Sequence, residues 1–310
     1  NVSCSALMKL YGGLGGSTEC SIANSLWTDP EGRMQEDFVG RCSGIFDAQV
    51  FQEDLSAPVI VPALNSWVSD HTAGMIPQII QRPFGEGAAA LMVNALYLKN
   101  TWAAKFDPSD TVTRDFTRAD GAAEPLDFLQ HFSRSLTYLQ SGSDEGVLLP
   151  YDDGRLAFFA LMPRQSSGVP DFERWLSSLT GEGLSALLSG REETFFLRLS
   201  LPKFEQEWSG ELKDALAALG LTDAFDPDLA DFSLLGDDPR GYYLSQVIHA
   251  ARIEVNEEGT EAAAATVVAA ASGAAPPQEG VTLIFDRPFL YGIVDLQNGV
   301  PLFLGTFEGL

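Results

Sequence analysis

Apolar and polar residues alternate along much of the chain with the period of two that is typical of β-strands. Residues 195–201 place an apolar side chain at every second position, and residues 245–255 repeat this period. Residues 146–163 predict a hairpin, because two apolar runs flank Asp153-Gly154, a dipeptide that favours tight turns. Further strands are predicted at 21–27, 88–102, 281–285, 289–296 and 300–307.

A longer period, of three to four residues, predicts helices between these strands. Residues 61–80 begin as a helix, and Gly74 and Pro77 end it. Its apolar face consists of Leu64, Trp67, Val68 and His71. Residues 171–188 predict a second helix, and a third is predicted to follow Ser209 as its N-cap.

Helices and strands are interspersed along all 310 residues, which indicates an α+β fold in a single domain.

The formal net charge of −24 disfavours nucleic acid and anionic membranes as partners. The longest apolar run, residues 88–98, is shorter than the about 20 residues of a membrane-spanning helix. Three cysteines and three histidines indicate neither a disulfide framework nor a metal site, and no cofactor is implied.

Residues 262–275 are unusual, with nine alanines, two valines and one each of Thr, Ser and Gly. Composition alone leaves open a flexible linker, an alanine-rich helix or a surface loop. A further interpretation is an exposed loop that later becomes a strand inside a packed sheet, with Glu261 facing outward and Gly259 as the hinge. The inward side chains, all small and uncharged, would be Thr260, Ala262, Ala264 and Thr266.

Several segments resemble the serpin family, in that family's order from about residue 21 to the end. The motifs are LNSWVSDHTAGMI at 64–76, NALYLKNTW at 94–102, LPKF at 201–204, EEGTEAAAAT at 257–266, DRPF at 286–289 and FLG at 303–305. They are similar to helix F, the third strand of sheet A, the segment entering the sixth strand of sheet A, the proximal hinge of the reactive-centre loop, and the C-terminal strands. So many matches in one order make the resemblance specific.

The resemblance implies a serpin-like fold with mostly antiparallel or mixed sheets, surrounding helices and an exposed reactive-centre loop at residues 257–280. It implies a suicide-substrate inhibitor of a serine-type protease rather than an enzyme. The protease attacks a bond in the loop and forms an acyl-enzyme, and the freed loop then inserts into sheet A. Strain stored in the native fold drives this step, so native stability is kinetic.

The resemblance also assigns roles along the loop. The implied hinge is Glu257, Glu258, Gly259, Thr260, Glu261, Ala262, Ala263, Ala264, Ala265 and Thr266. By the family offset from Glu257, the scissile bond joins Gly273 and Ala274. Alternatives for the residue before the cut are Ala271, Ser272 and Ala275. Small residues suit elastase-like or subtilisin-like proteases, and residues 262–280 contain no Lys or Arg for other proteases.

Two further clusters follow from the resemblance. Trp102, Lys203 and Glu257 correspond to the breach, where the loop enters sheet A, and Lys203 and Glu257 are expected to form an ion pair. Without the resemblance this is a surface pair worth under about 1 kcal/mol. Asn94 and His249 correspond to the shutter under the centre of the sheet, where a hydrogen bond between them is expected. Without the resemblance, His249 is a core histidine with satisfied hydrogen bonds.

The match begins near the family's helix D, so helices A, B and C have no counterpart in this sequence. The chain is therefore expected to be truncated at its N-terminus relative to the family. An apolar face of sheet A is then expected to be uncovered.

The sequence favours a protease inhibitor over three other functions. A non-inhibitory serpin that binds or carries a molecule is the main alternative, but such serpins carry bulky, charged or proline residues in the hinge. An enzyme is disfavoured because no G-x-S-x-G motif is present. A structural or adhesive domain would use the alanine-rich stretch as a tether. The acidity, the few cysteines and the alanine-rich stretch fit a secreted microbial protein. The resemblance implies a monomer whose partner is a serine protease of the elastase-like or subtilisin-like type.

Overall fold

A computed structural model describes residues 2–133, 136–164, 172–190, 196–237, 241–260 and 280–310. These ranges contain two short 3-10 helices, Pro108–Asp110 and Asp223–Phe225. The α-helices are α1 (Val2–Tyr11), α2 (Glu36–Phe46), α3 (Ile60–His71), α4 (Phe172–Ser178), α5 (Gly181–Ser189) and α6 (Lys213–Ala218). The strands are β1 (Glu19–Thr28), β2 (Arg33–Met34), β3 (Ala48–Gln52), β4 (Ala90–Thr101), β5 (Val112–Thr117), β6 (Ala123–Ser133), β7 (Thr137–Gln140), β8 (Asp144–Pro150), β9 (Leu156–Pro163), β10 (Leu197–Pro202), β11 (Phe204–Glu211), β12 (Gly236–Asp237), β13 (Leu244–Val255), β14 (Gly259–Thr260), β15 (Val281–Ile284), β16 (Phe289–Asp295) and β17 (Val300–Phe307).

The strands of the described residues assemble into four sheets. A six-stranded sheet has the order β11-β13-β14-β4-β1-β3, and a four-stranded sheet has the order β15-β10-β6-β5. A five-stranded sheet has the order β17-β16-β9-β8-β7, and β12 pairs with β2. In the six-stranded sheet, both residues of β14 pair with β4, and Thr260 also pairs with Val255 of β13.

The chain divides into two compact units. The first comprises Asn1–Gly15, Glu19–Leu98 and Glu205–Ile253. The second comprises Gly16–Thr18, Lys99–Phe204 and Glu254–Leu310. Strands β4, β11 and β13 therefore contribute residues to both units.

Helix α3 is the central packing element of the first unit. Leu64, Trp67 and Val68, three residues of its predicted apolar face, are buried. The helix packs in one core cluster with buried residues of β1, β4 and β13. The chain leaves the helix through Gly74, whose φ of 81° lies in the left-handed region that glycine tolerates. The spacing of apolar residues thus decided which side of the helix faces the sheet.

The second unit is built on its five-stranded sheet. Every residue of β9 and β16 is buried, which explains why their sequences are apolar without alternation. Helices α4 and α5 cover one face of this sheet, with Phe172, Trp175 and Leu187 in its core cluster. The hairpin of β8 and β9 turns at Gly154, as the Asp-Gly dipeptide predicted, with a φ of 69°.

Two sequence-based helix predictions required correction, and one helix was not predicted. The helix predicted at 171–188 is interrupted, because the side chain of Thr180 caps a new helix by accepting a hydrogen bond from Gly183 N at 3.0 Å. Ser209 is not an N-cap but lies inside β11, where pairing with β13 overrides the local helix signal. Helix α1 was not predicted from the sequence.

Candidate functional site

A tight turn after β13 forms the start of the site. The side-chain oxygen of Asn256 accepts hydrogen bonds from the backbone N–H groups of Glu258 (3.0 Å) and Gly259 (3.2 Å). The backbone N–H of Asn256 donates to Gly259 O at 3.1 Å. An asparagine side chain that bonds to the backbone two and three residues ahead favours such a turn. The turn reverses the chain, so that Thr260 pairs with Val255.

Thr260 lies inside the six-stranded sheet, paired with Val255 of β13 and with Asn100 of β4. It is only 1% exposed, and its hydroxyl oxygen lies 2.5 Å from the hydroxyl of Tyr151. Burial raises the pKa of Tyr151, so its phenol is neutral and can donate or accept this hydrogen bond. A small polar side chain therefore fills the first position between β4 and β13.

Gly259 makes a close approach to β4. A β-carbon at this position would lie 2.0 Å from Asn100 O and 2.8 Å from Thr101 Cα. Its φ is not in the left-handed region. Glycine is thus required here because only a residue without a side chain fits against the neighbouring backbone.

Glu257 is held by two side chains. Lys203 Nζ lies 2.9 Å from its carboxylate, and Thr111 Oγ1 donates to Glu257 Oε1 at 2.8 Å. Burial would raise the pKa of the Glu257 carboxyl, but the hydrogen bonds from Lys203, from its own backbone and from Thr111 outweigh burial and hold that pKa below its usual value. The expected Lys203–Glu257 ion pair is therefore present, with its carboxylate ionised at neutral pH.

Trp102 forms the wall beside this turn. It is 2% exposed, its ring stacks on Tyr151 at 4.8 Å and 5°, and its Nε1–H donates to Asn256 O at 2.8 Å. Its backbone N–H donates to Glu258 O at 3.0 Å. The Glu258 carboxylate forms an ion pair with Lys105. The Trp102 indole thus stabilises the turn through its hydrogen bond to Asn256 and positions the ring of Tyr151, which contacts Thr260.

Asn94 and His249 are brought together on β4 and β13, where they are direct partners in the parallel register. His249 Nδ1 lies 2.7 Å from Asn94 Oδ1. The Asn94 amide nitrogen donates to Asn24 Oδ1 at 2.8 Å, so its oxygen accepts from Nδ1–H of His249. Burial lowers the pKa of His249, and the bond to Asn94 opposes this only in part. His249 is therefore neutral at pH 7.

The face of β4 and β13 that carries these two residues is partly open. Met92, two residues before Asn94 on β4, is 45% exposed. Trp208, whose ring lies 5.8 Å from the ring of His249, is 49% exposed. Two apolar side chains are thus accessible on this face.

The strand pairings define what the site can do. At Asn100 and Thr101, β4 pairs with β14, whereas from Ala90 to Leu96 it pairs directly with β13. A strand that continued from Thr260 between β4 and β13 would have to separate that direct ladder, including the Asn94–His249 pair. The remaining hinge residues, 261–266, and the bond between Gly273 and Ala274 lie outside the described residues.

Four residues of the site were not identified from the sequence. Tyr151, Asn256, Thr111 and Lys105 each contact the turn or Thr260. Asn256, directly before Glu257, could have been found from the preference of asparagine for turns. The other three lie at least 100 residues from their partners in sequence, and no local pattern marks them.

Two sequence-based exclusions concern metals and membranes. The described part of the chain contains no group of three or more His, Cys, Asp or Glu residues placed to hold a metal ion. Among its helices, none has the length and apolar character required to cross a membrane.

Comparisons of sequence identify related proteins. The family model described as Serpin (serine protease inhibitor) matches residues 3–309. Serpin-Z2B of Triticum aestivum is 32% identical over 300 residues, which cover 94% of this chain and 74% of that protein. Plasminogen activator inhibitor 1 of Neovison vison is 33% identical over 316 residues, which cover 97% of this chain and 75% of that protein.

Comparisons of structure agree with the sequence matches. The thermophilic serpin tengpin in its native state matches with a TM-score of 0.90 at 28% identity, over 99% of this chain and 77% of that one. Thyroxine-binding globulin in complex with thyroxine has a TM-score of 0.85 at 22% identity, over 98% of this chain and 79% of that one, and supports the fold alone. The α+β fold expected from the resemblance is confirmed.

Proposed function

Because the chain belongs to the serpin family, we propose that it inhibits a serine-type protease as a suicide substrate. The protease serine attacks the carbonyl carbon of the scissile bond, the amine of the next residue leaves, and an ester joins the protease to the upstream part of the loop. That part then inserts as a strand between β4 and β13 and carries the protease with it. The chain itself catalyses no reaction.

The main observation that supports a suicide-substrate inhibitor is the position of Thr260 inside the six-stranded sheet. Thr260 already pairs with both β4 and β13, and Gly259 pairs with β4, so an inserting loop would extend an existing strand rather than nucleate a new one. If the inserted strand continues the alternation, its next inward side chains would be Ala262, Ala264 and Thr266. They are as small as Thr260 or smaller and carry no charge, so their burial requires no desolvation of an ion.

The preferred bond is Gly273–Ala274, which we propose on the family offset from Glu257. Small residues at this bond favour a protease with a shallow primary pocket, of the elastase or subtilisin type. A bond that follows Ala271, Ser272 or Ala275 would lead to the same preference.

A non-inhibitory carrier is the second candidate. A protein of this fold, thyroxine-binding globulin, binds thyroxine. The hinge of this chain argues against a carrier, because its inward positions hold Ala262, Ala264 and Thr266 and no bulky or charged residue.

The proposal includes the setting in which the protein acts. We propose that residues 1–310 work as one monomeric serpin-like domain outside the cell, with residues 257–280 as the bait. The net charge of −24 supports solubility. It also disfavours nucleic acid and anionic membranes as partners.

The test is incubation with pancreatic elastase and with subtilisin, followed by denaturing electrophoresis. A band at the summed mass that survives boiling supports the trapped acyl-enzyme. Mass spectrometry of the released fragment then locates the bond, which for Gly273–Ala274 gives a fragment starting at Ala274. Cleavage within residues 257–280 without such a band contradicts the inhibitor and leaves the carrier.

A further inference from the structure

Two aromatic rings and a guanidinium group lie together on the outer face of the four-stranded sheet. Phe132 of β6 is the register partner of Arg198 on β10. The rings of Phe132 and Phe196 stack at 5.2 Å and 12°, and the guanidinium carbon of Arg198 lies 5.2 Å from the centre of the Phe132 ring. We call Phe132, Phe196 and Arg198 the aromatic patch.

The patch differs from the rest of this face. Phe132 is 58% exposed, although a phenylalanine is usually buried. One row further along the same strands, Ser200 is buried and accepts hydrogen bonds from Gln130 (2.5 Å) and Arg114 (3.4 Å). This part of the sheet therefore presents exposed apolar side chains next to a row of polar side chains that are hydrogen-bonded to each other. Exposed aromatic and arginine side chains are the residues that contribute most at protein interfaces.

The bait loop returns to the fold at this patch. The backbone N–H of Val281 donates to Phe196 O at 2.8 Å. A β-carbon on Gly280 would lie 2.5 Å from Phe196 O, so the returning backbone lies directly against this residue. Any protein that holds the downstream part of the loop is therefore tethered to the patch.

The tether is short compared with a protease. With the cut at Gly273–Ala274, residues 274–280 span at most about 25 Å when fully extended. A protease domain of about 250 residues has a radius of gyration of about 18 Å, so its surface extends far enough from the cleft to cover the anchor at Gly280.

We propose that the aromatic patch docks the rim of the target protease while the loop occupies the protease cleft. This inference rests on the proposed function, since it assumes that the loop is the bait. The complementary surface on the protease is an apolar side chain for Phe132 with a carboxylate beside it for Arg198. Arg198 is suited to this pairing because a guanidinium can donate two parallel hydrogen bonds to one carboxylate.

The test is binding of elastase and subtilisin whose catalytic serine is replaced by alanine, so that no acyl-enzyme forms. Phe132→Ser and Arg198→Glu are expected to weaken binding about tenfold or more, as for central interface residues. Leu304→Ser is the matched control, because Leu304 is also 58% exposed but lies on β17. Its affinity is expected to equal that of the unmodified chain.

Thermal unfolding of each variant checks that the fold is retained. The proposed docking role of the patch would be contradicted if Phe132→Ser and Arg198→Glu bound with affinities within twofold of the unmodified chain. It would also be contradicted if the unmodified chain bound neither inactive protease. If the unmodified chain binds the inactive proteases through the patch but forms no covalent band with the active ones, the patch stands and the inhibitory function fails. The two proposals can thus fail separately.

Discussion

The hydroxyl oxygens of Thr260 and Tyr151 lie 2.5 Å apart in a buried part of the fold, and they join the first residue inside the six-stranded sheet to the hairpin of β8 and β9. A buried hydroxyl that loses its partner is costly, whereas the hydrogen bond itself contributes little net free energy. This contact therefore favours the state in which Thr260 is inside the sheet. Its loss would release the start of the loop.

We predict that Tyr151→Phe and Thr260→Val each lower the free energy of unfolding by about 1 kcal/mol, because each removes one side of a buried hydrogen bond. In the double variant the losses should not add, since the two residues are in contact. Urea unfolding of the single and double variants measures the coupling. Tyr243→Phe serves as control, because that hydroxyl bonds to Gly87 O on the exposed surface. Additive losses would contradict a direct interaction.

Thr260→Arg is predicted to reduce the trapping of the protease strongly, whereas the protease should still cleave the loop. The side chain at this position is 1% exposed, and a buried guanidinium without a partner costs several kcal/mol. The covalent band with elastase or subtilisin should fall at least about tenfold, which corresponds to about 1.4 kcal/mol. Glu261→Arg is the control, because alternation predicts an outward side chain there. Equal covalent bands for both variants would argue against insertion at Thr260.

Gly259→Ala should destabilise the fold by about 1–3 kcal/mol, as expected for an inserted methyl group without space. The new β-carbon would lie 2.0 Å from Asn100 O, so β14 must move away from β4. Thermal unfolding measures the loss. Gly85→Ala is the matched control, since a β-carbon there meets nothing within 4 Å and the glycine has no positive φ. An unchanged melting temperature for Gly259→Ala would show that β14 is not held in this position.

The pKa of His249 is lowered in the folded state, so the unfolded chain binds this proton more readily. The stability that comes from neutral His249 is therefore fully present above the unfolded pKa of about 6.5 and is lost as pH falls toward the lower folded pKa. His249→Gln should cost stability at pH 7.5, and its difference from the unmodified chain should shrink at pH 5. Urea unfolding at both pH values measures this difference.

His131→Gln is the companion variant for this pH test, because burial also lowers the pKa of His131 and its loss removes a second acid-sensitive group. The contribution of His249 is isolated when the pH test is repeated in the His131→Gln background. A constant or growing difference between pH 7.5 and pH 5 in that background would contradict a buried neutral His249.

Much of the fold was predictable because it depends on local patterns. The alternation in β13, the two-sided apolar run in β4 and the Asp-Gly turn at Gly154 each placed an element within about two residues of its observed bounds. Where the local signal and the tertiary pairing disagreed, as at Ser209 in β11, the pairing prevailed. A strand on the edge of a sheet receives its hydrogen bonds from a distant segment, which no local pattern reveals.

The sequence by itself determined the family, the α+β class and the small uncharged residues that a packed sheet can accept, because these follow from residue size, charge and spacing. Only the tertiary structure decided that Thr260 lies between β4 and β13, that Tyr151 contacts it, and that Gly259 lies directly against the backbone of Asn100. Apart from the pairing of Thr260 with Val255 on β13, these relationships join residues more than 100 positions apart. They exist only once the strands are paired in register, since a buried contact depends on which backbones the topology brings within hydrogen-bond distance.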